Sequence, residues 1–266
     1  MLFGDRLVVV RGGGDLATGV VHRLVRAGFP IVVTELAQPL AIRRSVAVAA
    51  AVTEGTVQID GVEARRVASS HEAVLLARSG IVAVMVSPEL PDFPEPPAVV
   101  VDARLAKRNL DTRSDQALLV IALGPGFTAG VDCDAVVETM RGHRLGRVIW
   151  VGGAEPDTGT PGRVGGVSAE RVVRSPGNGP VGWRVEIGDM VASGDVIGAV
   201  AGTEIVAPIA GVVRGLLYPG QEATSGLKIA DVDPRADRAA CFEISDKARL
   251  VGGGVLEAVL TWLNSQ

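Results

Sequence analysis

What most constrains this chain is a run of glycines set between a strand and a helix. Residues 7–11 read Leu-Val-Val-Val-Arg, and Gly12-Gly-Gly-Asp-Leu-Ala-Thr-Gly19 follows. An apolar-periodic stretch then leads into Ile31-Val-Val-Thr-Glu35. The pattern predicts a βαβ unit. Gly12, Gly14 and Ala17 fit G-x-G-x-x-A, and Glu35 falls 21 residues after Gly14, where dinucleotide-binding units place the acid that accepts ribose hydroxyls. Gly12 permits a tight turn, Gly14 lets backbone approach a pyrophosphate, and the helix start offers free N–H groups and partial positive charge. Gly12, Gly13, Gly14, Asp15, Thr18 and Glu35 are therefore the first candidate ligand-binding residues. Asp15 reads as the N-cap; its charge opposes a phosphate unless the side chain turns away. The bland alternative is a turn that only closes strand onto helix.

Around this unit the chain has 266 residues, enough for two domains. Its 47% hydrophobic content comes mostly from Val, Ala, Leu and Ile, which suits buried parallel strands covered by helices. The net charge is −4, and no basic, aromatic-interleaved patch points to nucleic acid. Cys133 and Cys241 form no C-x-x-C pair, so neither a disulfide framework nor a zinc ribbon is expected, and no metal. No signal-peptide layout opens the chain, and its longest apolar runs are too short for a bilayer. A soluble, cytoplasmic protein without membrane contact is the expectation.

Residues 38–52 look helical, opened by Pro39, and 56–59 with 63–67 read as a hairpin around Asp60-Gly61. A helix over 70–79, a strand over 81–86, a Pro-rich loop over 88–97 and a strand over 98–102 follow. Leu118–Leu123 is a strand entering Gly124-Pro-Gly-Phe127, with a helix over 134–141 and a strand over 147–150. The fold class read from this alternation is α/β. A Rossmann-like, mostly parallel sheet domain occupies 1–150. From Gly152 glycines, prolines and short valine stretches predominate. Gly188-Asp-Met-Val-Ala-Ser-Gly-Asp and Ala207-Pro-Ile-Ala-Gly-Val resemble a biotinyl/lipoyl carrier, predicting a small all-β barrel-sandwich domain over 151–236. The carrier's modified lysine has no counterpart in Val200–Glu204, so a structural or docking module is expected. Residues 237–266 are assigned to a C-terminal helix packing back on the α/β domain.

The carboxyl ends of parallel strands are where open α/β sheets bind ligands. This adds Asp102 and the loop Gly124, Pro125, Gly126 and Phe127, whose backbone N–H groups suit an anion. Arg43 and Arg44, one or two turns beyond Glu35, are candidate phosphate or carboxylate clamps. Cys133, between Asp132 and Asp134, is a candidate nucleophile with a buried, inert thiol as its alternative. His143 is a candidate acid/base. Asp231, Asp233 and Arg235 read as a turn lock.

Five segments carry a resemblance over nearly the full length: Arg11–Gly19, Thr34–Val46, Leu123–Cys133, Glu138-Thr-Met-Arg-Gly-His143 and Gly226-Leu-Lys-Ile-Ala-Asp-Val-Asp-Pro-Arg235. With these the chain resembles the YqeB-type accessory proteins of selenium-dependent molybdenum hydroxylases, related to xanthine and carbon monoxide dehydrogenase maturation factors. The resemblance implies a maturation role, a hydroxylase apoenzyme as partner, and a nucleotide-type ligand such as a molybdopterin dinucleotide; it supplies no reaction. A non-catalytic scaffold and an NAD-dependent oxidoreductase are the competing readings, the latter weakened by the lack of a proton-transfer pair. A homo-oligomer is compatible with the sequence.

Overall fold

The computed structural model describes residues 1–159 and 166–266, and the chain divides into two compact units. The first comprises Met1–Pro39, Ala47–Asp157 and Ile244–Gln266. Its sheet has nine strands: β1 (Val8–Arg11), β2 (Ile31–Glu35), β3 (Thr56–Ile59), β4 (Val62–Val67), β5 (Val82–Val86), β6 (Val99–Asp102), β7 (Leu119–Leu123), β8 (Ala135–Val137) and β9 (Val148–Ile149). The spatial order is β3-β4-β5-β2-β1-β6-β7-β8-β9. Neighbours from β4 to β8 are parallel, and the outermost pairs β3–β4 and β8–β9 are antiparallel.

Valine repeats buried on both sides build the centre. Leu7, Val9, Val32, Val100 and Val120 pack with Ala73, Val74 and Ala77 of α3 (Ser70–Arg78) and with Phe127, Leu90 and Phe93 from loops. Helix α1 (Asp15–Ala27) and helix α4 (Asp246–Asn264) pack on each other elsewhere on the sheet, α1 touching β2 and α4 touching β7 and β8. Ser69 and Ser245 cap α3 and α4, accepting from Glu72 N and Ala248 N.

The Rossmann-like expectation is corrected by this topology. The sheet is mixed, and the crossovers from β5 to β6, β6 to β7 and β7 to β8 contain no α-helix. The helix expected over 134–141 is instead β8: Asp134 accepts a 2.7 Å bond from Val120 N, pinning the chain beside β7, and the β-branched Val136 and Val137 suit a strand buried on both faces. The helix expected over 38–52 is broken into single turns at Arg44–Val46 and Val48–Ala50 and the short helix α2 (Ala51–Glu54). The physical reason is that Leu40–Val46 leaves the first unit and belongs to the second.

The second unit comprises Leu40–Val46 and Thr158–Glu243. The expectation of a biotinyl/lipoyl-type barrel-sandwich is corrected here too. Two antiparallel four-stranded sheets form, one ordering β10 (Val172–Arg174), β17 (Lys228–Asp233), β15 (Gly211–Leu216) and β12 (Met190–Val191). The other orders β14 (Thr203–Val206), β13 (Val196–Val200), β11 (Gly179–Trp183) and β16 (Glu222–Ala223). Val181, Ile197, Val213, Leu216 and Ile229 fill a shared core. The early segment is built in: Ile42 O accepts from Leu216 N at 2.9 Å, and its side chain fills the space a Cβ at Gly215 would need. Among the described residues, no helix is long and apolar enough to cross a membrane.

Candidate functional site

The glycine turn lies at the carboxyl end of β1. Gly12 has φ +91° and donates to Thr34 O at 2.8 Å; a Cβ there would press on Ala103 and Arg104 backbone at 3.1–3.2 Å. Gly13 N donates to Glu35 Oε2 at 2.7 Å, and Leu36 N donates to Oε1 at 2.7 Å. Glu35 thus braces the turn from the end of β2, with lone pairs left on each oxygen. Gly13 O accepts from Ala49 N, and a Cβ on Gly13 would lie 2.9 Å from that nitrogen.

Gly14, not Asp15, is the N-cap of α1, and a Cβ on it would meet nothing within 4 Å. Asp15 falls in the first turn. Thr18 turns inward: its hydroxyl donates to Gly14 O and accepts from Val48 N. It staples the turn to the next segment, leaving no free group for a ligand.

Arg11 and Asp102 face each other across β1 and β6. The chain departs to opposite sides of β1 at this point, and open parallel sheets bind ligands at such a place. A polar network occupies it. Arg11 is 1% exposed and donates from Nη2 to Asp111 Oδ2 at 2.7 Å. Arg104 forks onto Asp102 at 2.6 and 3.1 Å and reaches Asp111 Oδ1 at 2.7 Å. Thr112 donates to Asp102 Oδ2 at 2.6 Å. Asp102 is therefore spent on the chain's own groups, a clamp on the loop after β6. Arg11 Nε and Nη1 have no hydrogen-bond partner among the described residues. The bond from Arg11, with support from Arg104, holds the Asp111 carboxyl below the usual carboxylate range despite opposing desolvation.

The second glycine loop is close-packed against its own unit. Gly124 (φ +74°) and Gly126 (φ +102°) hold left-handed backbone, and a Cβ at either would meet Thr139 Oγ1 or Arg108 N at 2.5 Å. Phe127 is core, Pro125 half-buried and Gly126 exposed. Cys133 is fully buried; burial, then Asp132 and Asp134, push its thiol up to about 12. Burial and the raised thiol favour the buried, inert alternative over a nucleophile. His143 is exposed between β8 and β9.

Arg43 and Arg44 belong to the second unit, whereas Glu35 belongs to the first. In the second unit Arg43 donates to Ala240 O and Glu243 O at 3.1 and 3.2 Å. Arg44 donates to Leu217 O, and its guanidinium lies 4.9 Å from the Tyr218 ring centroid. Both are spent as fasteners there. Asp231 and Asp233 pair with Arg171 and Arg235 respectively.

Sequence reasoning missed Arg11, Asp111, Glu138 and Lys247. Glu138, 2% exposed, accepts from Met140 N and Glu155 N. Lys247, half-buried in the first turn of α4, interacts with Asp15 and Glu138; burial and Arg141 lower its amine below the ordinary lysine value. Its only sequence signal is rarity, as one of three lysines. Among the described residues no group of three or more His, Cys, Asp or Glu is placed to hold a metal ion.

No family model matches the chain. It is a homologue of "Uncharacterized protein YqeB" of Escherichia coli (strain K12), 50% identical over 258 residues that cover 97% of this chain and 48% of that protein. The chain spans about half the length of the curated relative it matches. Among solved structures, an aspartoacylase family protein from Mesorhizobium loti aligns over 85% of this chain and 84% of its own at 13% identity and TM-score 0.29. The product-bound ectoine utilization protein EutE (DoeB) from Ruegeria pomeroyi aligns over 85% and 57% at 15% identity and TM-score 0.24. Neither likeness is close enough to carry a fold or an activity to this chain.

Proposed function

We propose that the chain is an accessory protein in molybdenum hydroxylase maturation that binds a nucleotide-type ligand, such as a molybdopterin dinucleotide, at the glycine turn of its first unit. The observation that carries this is the open face at Gly14, at the start of α1, beside a carboxylate anchored on Gly13 N. A phosphate has room at the helix N-terminus, Glu35 keeps lone pairs for ribose hydroxyls, and Lys247 supplies a nearby positive charge that offsets Asp15. The accessory role is supported by the resemblance of the five motif segments. Glu35 in place of an arginine favours a free 2′-hydroxyl over a 2′-phosphate.

Thermal shift with NAD, NADP, ATP, CTP, GTP and a molybdopterin dinucleotide tests the site. A ligand at 100 times its Kd stabilises by about 2.7 kcal/mol. A shift with one of these, lost in Glu35→Ala, is expected. The accessory role is tested by reconstituting a molybdenum hydroxylase apoenzyme with and without the protein. Activation only with the wild-type protein supports it; no shift and no activation overturn it.

A scaffold is the second reading, favoured by how much of the turn's backbone is already used: Gly12 N, Gly13 N and Gly13 O all have partners inside the unit. The oxidoreductase reading gains no such observation, since the sole tyrosine, Tyr218, lies beside Arg44 in the second unit.

A further inference from the structure

The Pro-rich loop between β5 and β6 walls a cavity of about 570 Å³ within the first unit. The size suits a small molecule. Leu90, Phe93 and Pro97 give it apolar sides, while Asp111, Arg113 and Gln116 form its polar end. These polar groups are held in place. Gln116 Nε2 donates to Asp111 O at 2.9 Å, and Arg113 N donates to Gln116 Oε1 at 3.3 Å. The Asp111 carboxylate receives one bond on each oxygen, from Arg11 and Arg104, yet 39% of its side chain is exposed and it lines the cavity. A carboxylate has about four acceptor sites, so each oxygen keeps capacity to accept. The loop itself is stiffened by five prolines between positions 88 and 97 and tied to α3 by the Arg78–Glu95 ion pair.

We propose that this cavity is a second binding site, independent of the glycine turn, for a flat ring bearing a 2-amino-4-oxopyrimidine edge, as guanine does. The two adjacent N–H donors of that edge meet the two oxygens of Asp111. The neighbouring carbonyl accepts from Arg113, and Phe93 and the prolines cover the ring faces. Because Arg11 and Arg104 hold it ionised, Asp111 remains an acceptor throughout the neutral range. Glu89 and Asp92 on the lining add negative charge, which disfavours a bare anion. A metal ion is not the occupant, since no metal-holding cluster exists among the described residues.

Calorimetric titration of the full chain with guanosine, isocytosine, cytidine and benzoate tests this. Guanosine is expected to bind, with isocytosine, which carries the edge without ribose or phosphate, competing for the same site. Cytidine, whose edge has the wrong order of donors and acceptors, and benzoate are expected not to bind. Asp111→Asn, which turns one acceptor into a donor, is expected to weaken guanosine at least tenfold. Phe93→Ala leaves the arginine network untouched and is expected to weaken it severalfold, so the test survives if the Asp111 variant folds poorly. Isocytosine has no ribose or phosphate to engage the glycine turn, so its binding, weakened in both cavity variants, separates this site from that turn. The proposal is overturned if guanosine or isocytosine does not bind, if benzoate binds as well as guanosine, or if isocytosine binding survives both cavity variants.

Discussion

Helix α4 is laid against α1 through glycine, and one methyl group at Gly19 should show how much depends on that. A Cβ at Gly19 would lie 2.1 Å from Ala248 O, 2.4 Å from its carbonyl carbon and 2.8 Å from its Cβ. The approach is reciprocal, since a Cβ at Gly252 would lie 2.3 Å from Gly19 O. These obstacles are the backbone and the Cβ of an alanine on a neighbouring helix, and none of them can swing aside. Gly→Ala inside a helix is intrinsically worth about 1 kcal/mol in favour of alanine. Overpacking of a filled interior costs about 1–3 kcal/mol and occasionally more. At 2.1 Å the upper end applies, so Gly19→Ala is expected to lose about 1–2 kcal/mol net. For a protein of this size that lowers Tm by about 2–8 °C. Gly253→Ala is the matched control on α4. Its Cβ meets nothing within 4 Å, so it should keep the propensity gain and stabilise by about 0.5–1 kcal/mol. Urea unfolding and thermal melts of both variants decide the matter. If Gly19→Ala melts at or above wild type, α1 and α4 are not in the contact described.

Two further outcomes follow from charge and burial. Asp111 has its folded pKa depressed, chiefly by the bond from Arg11, so its contribution is complete above the unfolded aspartate pKa and is lost as pH falls through the lower folded value. The stability gap between wild type and Asp111→Asn, measured by denaturant unfolding, should be constant from pH 7 to about 5 and shrink below about pH 4; a gap independent of pH down to 2 refutes the pairing. Cys133 and Cys241 are both fully buried, and burial raises both thiols, Cys133 to about 12. Native protein at pH 8 should resist a disulfide reagent that titrates both thiols within minutes in denaturant, and prompt reaction of the native form would show that the core around Cys133 opens.

Some of the fold was legible because local chemistry decides it. The glycine turn, the helix after it and the hairpin at Asp60-Gly61 need only short-range rules: glycines that tolerate positive φ, apolar periodicity and a two-residue turn. Residues 134–141 were misread because periodicity cannot tell a short buried run from a helix. Asp134 decides between them by bonding to Val120, 14 positions away. Likewise Arg43 and Arg44 sit two turns from Glu35 only if 38–52 is one helix. The carbonyls of Ala240 and Glu243 that hold Arg43 are about 200 residues distant in sequence, and nothing local announces them.

The site residues divide along the same line. Glycines reveal themselves, because few other residues fit their backbone, and Gly12, Gly124 and Gly126 all hold left-handed conformations. Yet that requirement is satisfied equally by a ligand and by the protein's own chain, and in the second loop it is Thr139 and Arg108 that occupy the space. A glycine therefore marks a close approach without naming what approaches. Arg11 and Asp111 are the converse. Arg11 opens the glycine motif, but nothing in the sequence pairs it with Asp111, 100 residues away. Burying a guanidinium to 1% exposure is costly unless it is paired, and that cost becomes visible only when the sheet brings β1 and the loop after β6 together. Buried charge in this network is assembled by long-range pairing. Motif spacing points to the carboxyl end of β1, and only the topology brings Arg11 of that strand against Asp111 of the loop after β6.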